Sequence, residues 1–224
     1  MPLLLTTHPN QQASFGLWKI EEPESFFHNE LPLSPAEEAD LQPLKGIRRA
    51  EWLAGRYLLH LLTGAQKRLP MAKTAFAKPF FLDQPDLYCS LSHSHGIVGA
   101  LLADMECGCD IQVFVDKMPR LAHKFINDEE FTFINAFSQQ QQFELFHAYW
   151  TAKESLYKAY GLRELDFRKH LHLDHFDWSD KNAATTAWVK KGEIRQGFDM
   201  LLEKYIMPDE QELMMAVCFL RTNA

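Results

Sequence analysis

The chain has 224 residues, of which 46% are hydrophobic and 24% charged, enough apolar material for a packed core and the wrong composition for a disordered tail or fibrous repeat. Its longest apolar runs, 97–103 and 214–220, fall far short of the roughly 20 residues of a membrane helix, and MPLLLTTHPN lacks the pattern of a signal peptide, so a soluble, cytosolic protein with no membrane partner is expected. The net charge of −7 argues against general nucleic-acid binding, which needs a basic face to neutralise phosphates.

The first elements differ sharply in charge. After a strand-like stretch at 15–20, residues 21–40 carry seven acids and no Lys or Arg, with Pro32, Ser34 and Pro35 suited to a turn and a helix start. Residues 45–78 then carry eight bases against the single acid Glu51. This +7 segment in a −7 chain leaves −14 for the remainder. It reads either as a solvated basic helix or as a site for phosphates or an acidic partner. Within it, 47–62 places Trp52, Leu53, Tyr57, Leu58, Leu61 and Leu62 at helical spacing, with Arg48, Arg49 and Arg56 largely off the apolar stripe.

From Leu87 the period changes to two. Leu87, Cys89 and Leu91 alternate with Tyr88, Ser90 and Ser92, and HSHG turns the chain into IVGALLA, predicting a hairpin. A further strand is expected at 110–115, where Asp110 and Gln112 fall on one face about 7 Å apart. The second strong helix is 143–160, with Phe143, Phe146, Trp150, Tyr157 and Tyr160 as its apolar face and Gly161 as its stop. Trp150, Glu154 and Lys158 recur every four residues, so the carboxylate and the amine are expected to continue an inward-facing stripe. Segments 185–189, 198–205 and 213–220 read as strands, with WVKKGE as a hairpin. The order is helix then strands, twice, which predicts an α+β fold in two similar-sized halves, 1–106 and 107–224, with a cleft between them.

Phosphate-binding glycine loops and the G-x-S-x-G elbow are absent. His170, His172 and His175 offer a metal site at strand spacing, though without a carboxylate or Cys pair of zinc spacing. Four cysteines (Cys89, Cys107, Cys109 and Cys218) form no disulfide framework, and Cys107 and Cys109 read as buried thiols. Hard oxygen donors at Asp110 and Glu154, with the amide of Gln112, suit Mg²⁺ beside a substrate phosphate, with Mn²⁺ as an alternative. Lys158, one turn from Glu154, is placed to neutralise a phosphate oxygen. Ser92 and His93 are hydrogen-bond donors at a strand end, and Arg48, Arg49, Arg56 and Lys78 add cations.

In their order, "RRAEWLAGRYLL" (48–59), "AKP" (77–79), "SLSHS" (90–94), "GCDIQ" (108–112) and "WTAKESLYKAYG" (150–161) resemble the motifs of 4′-phosphopantetheinyl transferases. The length is similar to that of the Sfp-type branch, and the first motif is most similar to enterobactin-pathway members. The resemblance implies a monomeric pseudo-dimer of two α+β halves, each an antiparallel sheet packed on a long helix, with coenzyme A in the cleft. It implies transfer of phosphopantetheine from coenzyme A to a serine of an apo acyl, peptidyl or aryl carrier protein, with release of adenosine 3′,5′-bisphosphate. By the same resemblance Asp110 and Glu154 match the metal ligands, and Glu154 also helps deprotonate the serine. Lys158 matches the lysine on the pyrophosphate, Ser92 and His93 the pair on coenzyme A phosphates, Lys78 the adenine-side lysine, and Arg49 and Arg56 the basic helix. Gln112 departs from the Glu that many members carry two residues after the Asp, removing one negative charge from the metal site. Two rival readings are a homologue that binds coenzyme A without transfer, and a metal-dependent hydrolase using His170, His172 and His175.

Overall fold

Two stretches of alternating apolar side chains and two long helices organise the chain. A computed structural model describes residues 3–162, 164–178 and 180–221, and the chain divides into two compact units, Met1–Cys107 and Gly108–Ala224. Both mix helices with antiparallel strand pairs, so the fold is α+β.

In the first unit, β1 (Leu3–Thr7) and β2 (Ala13–Lys19) pair antiparallel. They are followed by α1 (Glu24–Glu30) and α2 (Pro35–Leu41). Ser34 starts α2 with a capping box, accepting from the Glu37 backbone N–H while Glu37 accepts from the Ser34 N–H. The long helix α3 (Ile47–Thr63) ends at Gly64 in the left-handed conformation. The short strands β3 (Met71–Lys73) and β4 (Pro79–Phe81) pair with each other. Strands β5 (Tyr88–Ser94) and β6 (Ile97–Ala103) form the expected hairpin. Its two-residue turn, His95-Gly96, has positive φ at both positions, as a type I′ turn requires. The sheet order is β1-β2-β6-β5, and α3 packs against β6, β2 and β5 through Leu53, Ala54, Leu58 and Leu59, all fully buried.

The expected separation of α3 into an apolar and a basic side needs correction at Arg56. Its side chain is only 5% exposed, its guanidinium lies 3.3 Å from the Trp52 ring centroid, and Nε is 3.8 Å from the Glu37 carboxylate. Arg68 also pairs with Glu37. Burial pushes Arg56 down to about 10, against the pull of Glu37.

In the second unit, β7 (Cys107–Val113) is followed by α4 (Met118–Leu121), α5 (Asp128–Ile134), α6 (Gln139–Tyr160), β8 (Leu171–Leu173), β9 (Asn182–Lys191), β10 (Ile194–Ile206) and β11 (Glu212–Leu220). The sheet order is β7-β11-β10-β9-β8, and α6 packs mainly on β11. The strand expected at 110–115 therefore begins and ends earlier. Beyond its end, the buried His147 donates Nδ1–H to the Phe143 carbonyl (2.9 Å) and accepts at Nε2 from the Val115 N–H (3.0 Å), tying the chain after β7 to α6.

Gly108 sets how closely β7 approaches α6. A Cβ at this position would lie 2.0 Å from the Ser155 carbonyl oxygen and 2.8 Å from the Ala159 nitrogen, so only glycine permits the contact. Helix α6 starts at a Ser138/Gln141 capping box and stops at Gly161, φ 70°. The fully buried set on α6 includes Leu145, Ala148, Tyr149, Ala152 and Leu156, whereas Trp150, Glu154, Tyr157 and Lys158 are half-buried. The stripe read from the sequence thus lies beside the deepest face, not on it. Cys89, Cys107, Cys109 and Cys218 are all buried and reduced.

Candidate active site

Two ammonium groups of α6 anchor two separate clusters, Lys158 against β7 and Lys153 against α5 and the chain at Phe167. In the first, the Lys158 Nζ donates to the Asp110 carboxylate (2.7 Å) and to the Cys109 carbonyl (3.1 Å). Glu154 lies one turn away on the same helix. Burial, then repulsion from Asp110, pushes its carboxyl up to about 7, with Lys158 pulling the other way. Burial also opposes the charge on Lys158, but Asp110, Cys109 and Glu154 outweigh it and hold the ammonium above its ordinary value. Among the described residues no hydrogen bond reaches the Glu154 carboxylate. The fold thus brings Asp110, Glu154 and Lys158 close enough to act on one another.

The second cluster was missed in the sequence. Lys153, fully buried in the same WTAKES segment, donates to the Glu130 carboxylate (2.6 Å) and to the carbonyls of Phe125 (2.7 Å) and Phe167 (3.0 Å). All three of its N–H donors are used, which is what allows an ammonium to lie in a core. Glu130 doubles as the third residue of the Asn127 capping box on α5. Lys153 therefore ties α6 to α5 and to the chain at Phe167, whereas the Lys158 side chain is 28% exposed. The available signal was its place between Tyr149 and Leu156 on the buried face of the helix.

Gln112 shares the Asp110 face of β7 and donates its amide N–H to the Val113 carbonyl (2.8 Å). Two carboxylates whose mutual repulsion raises one of them are a donor set that a hard divalent cation would relieve, and Asp110 with Glu154 fit Mg²⁺ on that ground. Substrate oxygens would complete its shell, because among the described residues no group of three or more His, Cys, Asp and Glu is placed to hold a metal. Nor are the three histidines of the hydrolase reading brought together as a metal site among the described residues. His170 accepts at Nδ1 from the Asp166 N–H (2.9 Å), His172 bonds the Lys169 carbonyl (3.0 Å), and His175 stacks on Phe133 at 4.6 Å. Each has its own structural partner.

In the first unit, His93 is 56% exposed and its Nδ1 lies 2.9 Å from the Glu51 carboxylate. Ser92 points to the other face of β5 from His93 and is buried with Ser90 and Ser94. Arg49 donates to Glu24 (2.7 Å) and to the Leu41 carbonyl (2.8 Å). With Arg56 buried on Trp52, Arg49 and Arg56 are both engaged inside their own unit. Lys78 pairs with Glu106 on the wall of a pocket of about 250 Å³ lined also by Pro79, Phe80, Phe81 and Tyr88. No helix among the described residues is long and apolar enough to cross a membrane.

Residues 106–207 match the sequence profile of the 4′-phosphopantetheinyl transferase superfamily. The chain is 38% identical over 124 residues to the 4′-phosphopantetheinyl transferase AcpT of Salmonella typhimurium, covering 54% of this chain and 63% of that protein. It is 35% identical over 130 residues to AcpT of Escherichia coli K12, covering 54% and 62%. It is 27% identical over 143 residues to the 4′-phosphopantetheinyl transferase gsp of Aneurinibacillus migulanus, covering 64% and 57%. The chain thus spans less than two thirds of the length of these relatives. The Asp110, Glu154 and Lys158 cluster lies wholly inside the stretch, residues 106–207, that is similar to the 4′-phosphopantetheinyl transferase superfamily.

Proposed function

We propose that the protein transfers the 4′-phosphopantetheine arm of coenzyme A to a serine hydroxyl of an apo acyl, peptidyl or aryl carrier protein, releasing adenosine 3′,5′-bisphosphate. The observation that carries this reading is the Asp110, Glu154 and Lys158 cluster, in which a half-buried carboxylate sits beside a second carboxylate and an ammonium. The names of the relatives point the same way. The Sfp-type assignment, a monomeric cytosolic protein of two pseudo-equivalent halves and coenzyme A held in a cleft between them belong to the same proposal.

In the reaction the serine Oγ attacks the phosphorus that bears the pantetheine arm. A new P–O bond forms, the diphosphate P–O bond breaks, and the electron pair leaves on the adenosine bisphosphate. Glu154 takes the serine proton. In the metal-free protein burial and Asp110 raise its carboxyl to about 7, and a carboxylate of raised basicity suits that task. Lys158 donates to a diphosphate oxygen and neutralises charge on the leaving group, and the exposed edge of His93 donates to another phosphate. Lys78 and the aromatic pocket beside it would receive the adenine. Asp110 and Glu154, with the Gln112 amide oxygen, would hold Mg²⁺, or Mn²⁺ in its place, which when bound supplies Lewis-acid neutralisation of the diphosphate.

Incubation with coenzyme A, Mg²⁺ and a panel of apo-carriers, read by intact mass, tests the reading. A phosphopantetheine adduct on the carrier serine supports it, and no adduct on any carrier overturns it. Gln112, neutral where many members carry a carboxylate, favours a second reading in which coenzyme A binds without transfer. Calorimetric binding of coenzyme A with no adduct on any carrier would select that one.

A further inference from the structure

Glu51 is the one acid in the basic segment 45–78, and it does not face solvent. It is 6% exposed and its two carboxylate oxygens are divided between two partners on the β5–β6 hairpin. Oε2 lies 2.9 Å from His93 Nδ1, and Oε1 accepts from the Gly96 N–H at 3.2 Å. One carboxylate on α3 therefore grips the last turn of β5 and the far side of the His95-Gly96 turn at once. From that turn the Gly96 carbonyl accepts in addition from the Ile20 N–H (2.9 Å), so the backbone to which His93 belongs is held from both sides.

We infer that Glu51 is a positioning residue for His93. It keeps a proton on Nδ1 and turns Nε2 outward, toward a phosphate of the nucleotide substrate. This rests on the reading of His93 under the proposed function. The chemistry follows from the two nitrogens of the ring. A carboxylate accepts only, so His93 must donate through Nδ1 in either protonation state. The proton that comes and goes is then the one on Nε2, the nitrogen that meets the ligand. A carboxylate orienting an imidazole through Nδ1 is also seen behind metal-ligating histidines, where Nε2 binds through its lone pair; toward an anion Nε2 must itself carry a proton, so the form that donates to phosphate is the imidazolium, with Glu51 as its counter-ion. Left free, the neutral ring could place its proton on either nitrogen, and a rotating side chain would lose orientation as well.

Glu51→Gln is the informative change because it nearly conserves shape. An amide has a single oxygen. If that oxygen keeps the Gly96 N–H, the NH₂ group faces His93, and the ring must accept at Nδ1 and carry its proton on Nε2. The expected result for ¹⁵N-histidine-labelled protein is an Nδ1–H tautomer for neutral His93 in the wild type and an Nε2–H tautomer in Glu51→Gln. KM for coenzyme A should rise about tenfold with kcat within twofold, the size expected for one charge-assisted hydrogen bond. In a His93→Ala background the same substitution should have no further effect on KM. An Nε2–H tautomer in the wild-type spectrum would overturn the inference without any variant having to fold. So would a KM loss of equal size in the His93→Ala background, which would mark Glu51 as a general support of the hairpin. Unchanged coenzyme A affinity in His93→Ala would also overturn it, while carrier loading by that same variant would leave the transferase reading standing.

Discussion

Helices α3 and α6 play corresponding parts in their units, each long, glycine-stopped and laid on an antiparallel sheet, yet they treat their charges differently. On α3 every charge discussed is engaged. Glu51 has two hydrogen bonds, Arg49 has a carboxylate and a carbonyl, and Arg56 lies on Trp52. On α6, Lys153 is fully bonded, but Glu154 has no hydrogen bond among the described residues and is raised to about 7. A carboxylate with its hydrogen bonds satisfied is a strut. One kept half-dry beside a like charge is ready to take up a proton or a cation. The first unit spends its buried charge on shape, and the second keeps one group in reserve for chemistry.

The largest effect is expected where that contrast is greatest. Glu154→Ala should lower carrier loading at least ~10²-fold, the usual cost of removing one preorganised group from such a site, while the circular dichroism spectrum stays native. Loading within a few-fold of wild type would remove Glu154 from the chemistry. In metal-free protein, the raised carboxyl favours folding below its unfolded value and disfavours it as pH climbs through about 7. Glu154→Gln should therefore melt higher than wild type at pH 8.

Two glycines sharpen the comparison of packing. Gly108→Ala drives a methyl into the Ser155 carbonyl, a backbone atom at 2.0 Å, and should cost about 3 kcal/mol or more in denaturant unfolding. Gly55→Ala on α3 meets only the Leu91 Cδ2 at 3.3 Å, a side-chain end that can shift. Relief of helix-interior glycine, worth up to ~1 kcal/mol, should leave that variant near neutral. Equal losses would mean that both units depend alike on close strand-helix contact.

Arg56→Ala is expected to destabilise by about 1–3 kcal/mol, since it strips the Trp52 ring of its cation and leaves a cavity. A rise in KM for coenzyme A with unchanged melting would instead make Arg56 a ligand contact. The smallest effect concerns pH. Burial lowers His147 below its ordinary value, against its hydrogen bond to the Phe143 carbonyl and the charge of Glu212. The unfolded state then binds the proton more readily, so stability is held above the unfolded pKa of about 6.5 and is lost as pH falls below it. Comparing melting at pH 7.5 and 5.5 for wild type and His147→Gln should show a shallower acid loss in the variant.

Much of this was legible in the sequence because local signals agreed with tertiary ones. The HSHG turn, the Ser34 start, the Gly161 stop and the spacing of Glu154 and Lys158 each declare themselves within a few residues. Other features were set by distant partners. Arg56 looked solvent-facing because Glu37 and Arg68, the groups that share its buried surroundings, lie 19 and 12 positions away in the chain. The stripe on α6 misled because that helix is buried around much of its circumference, including Glu144, His147 and Lys153, so periodicity no longer marks one face. Strands β3, β4 and β8 have three residues each, too short for alternation to show. Glu51 could have been found by asking why an acid stands on the Ala54, Gly55 and Leu58 side of a basic helix.

The four buried thiols give the molecule a built-in reporter. Cys89 belongs to the first unit and Cys109 and Cys218 to the second, with Cys107 at the boundary on β7, so each half carries sulfur shielded from reagent. Alkylation followed site by site would record how often each half opens, independently of the other and without any added label.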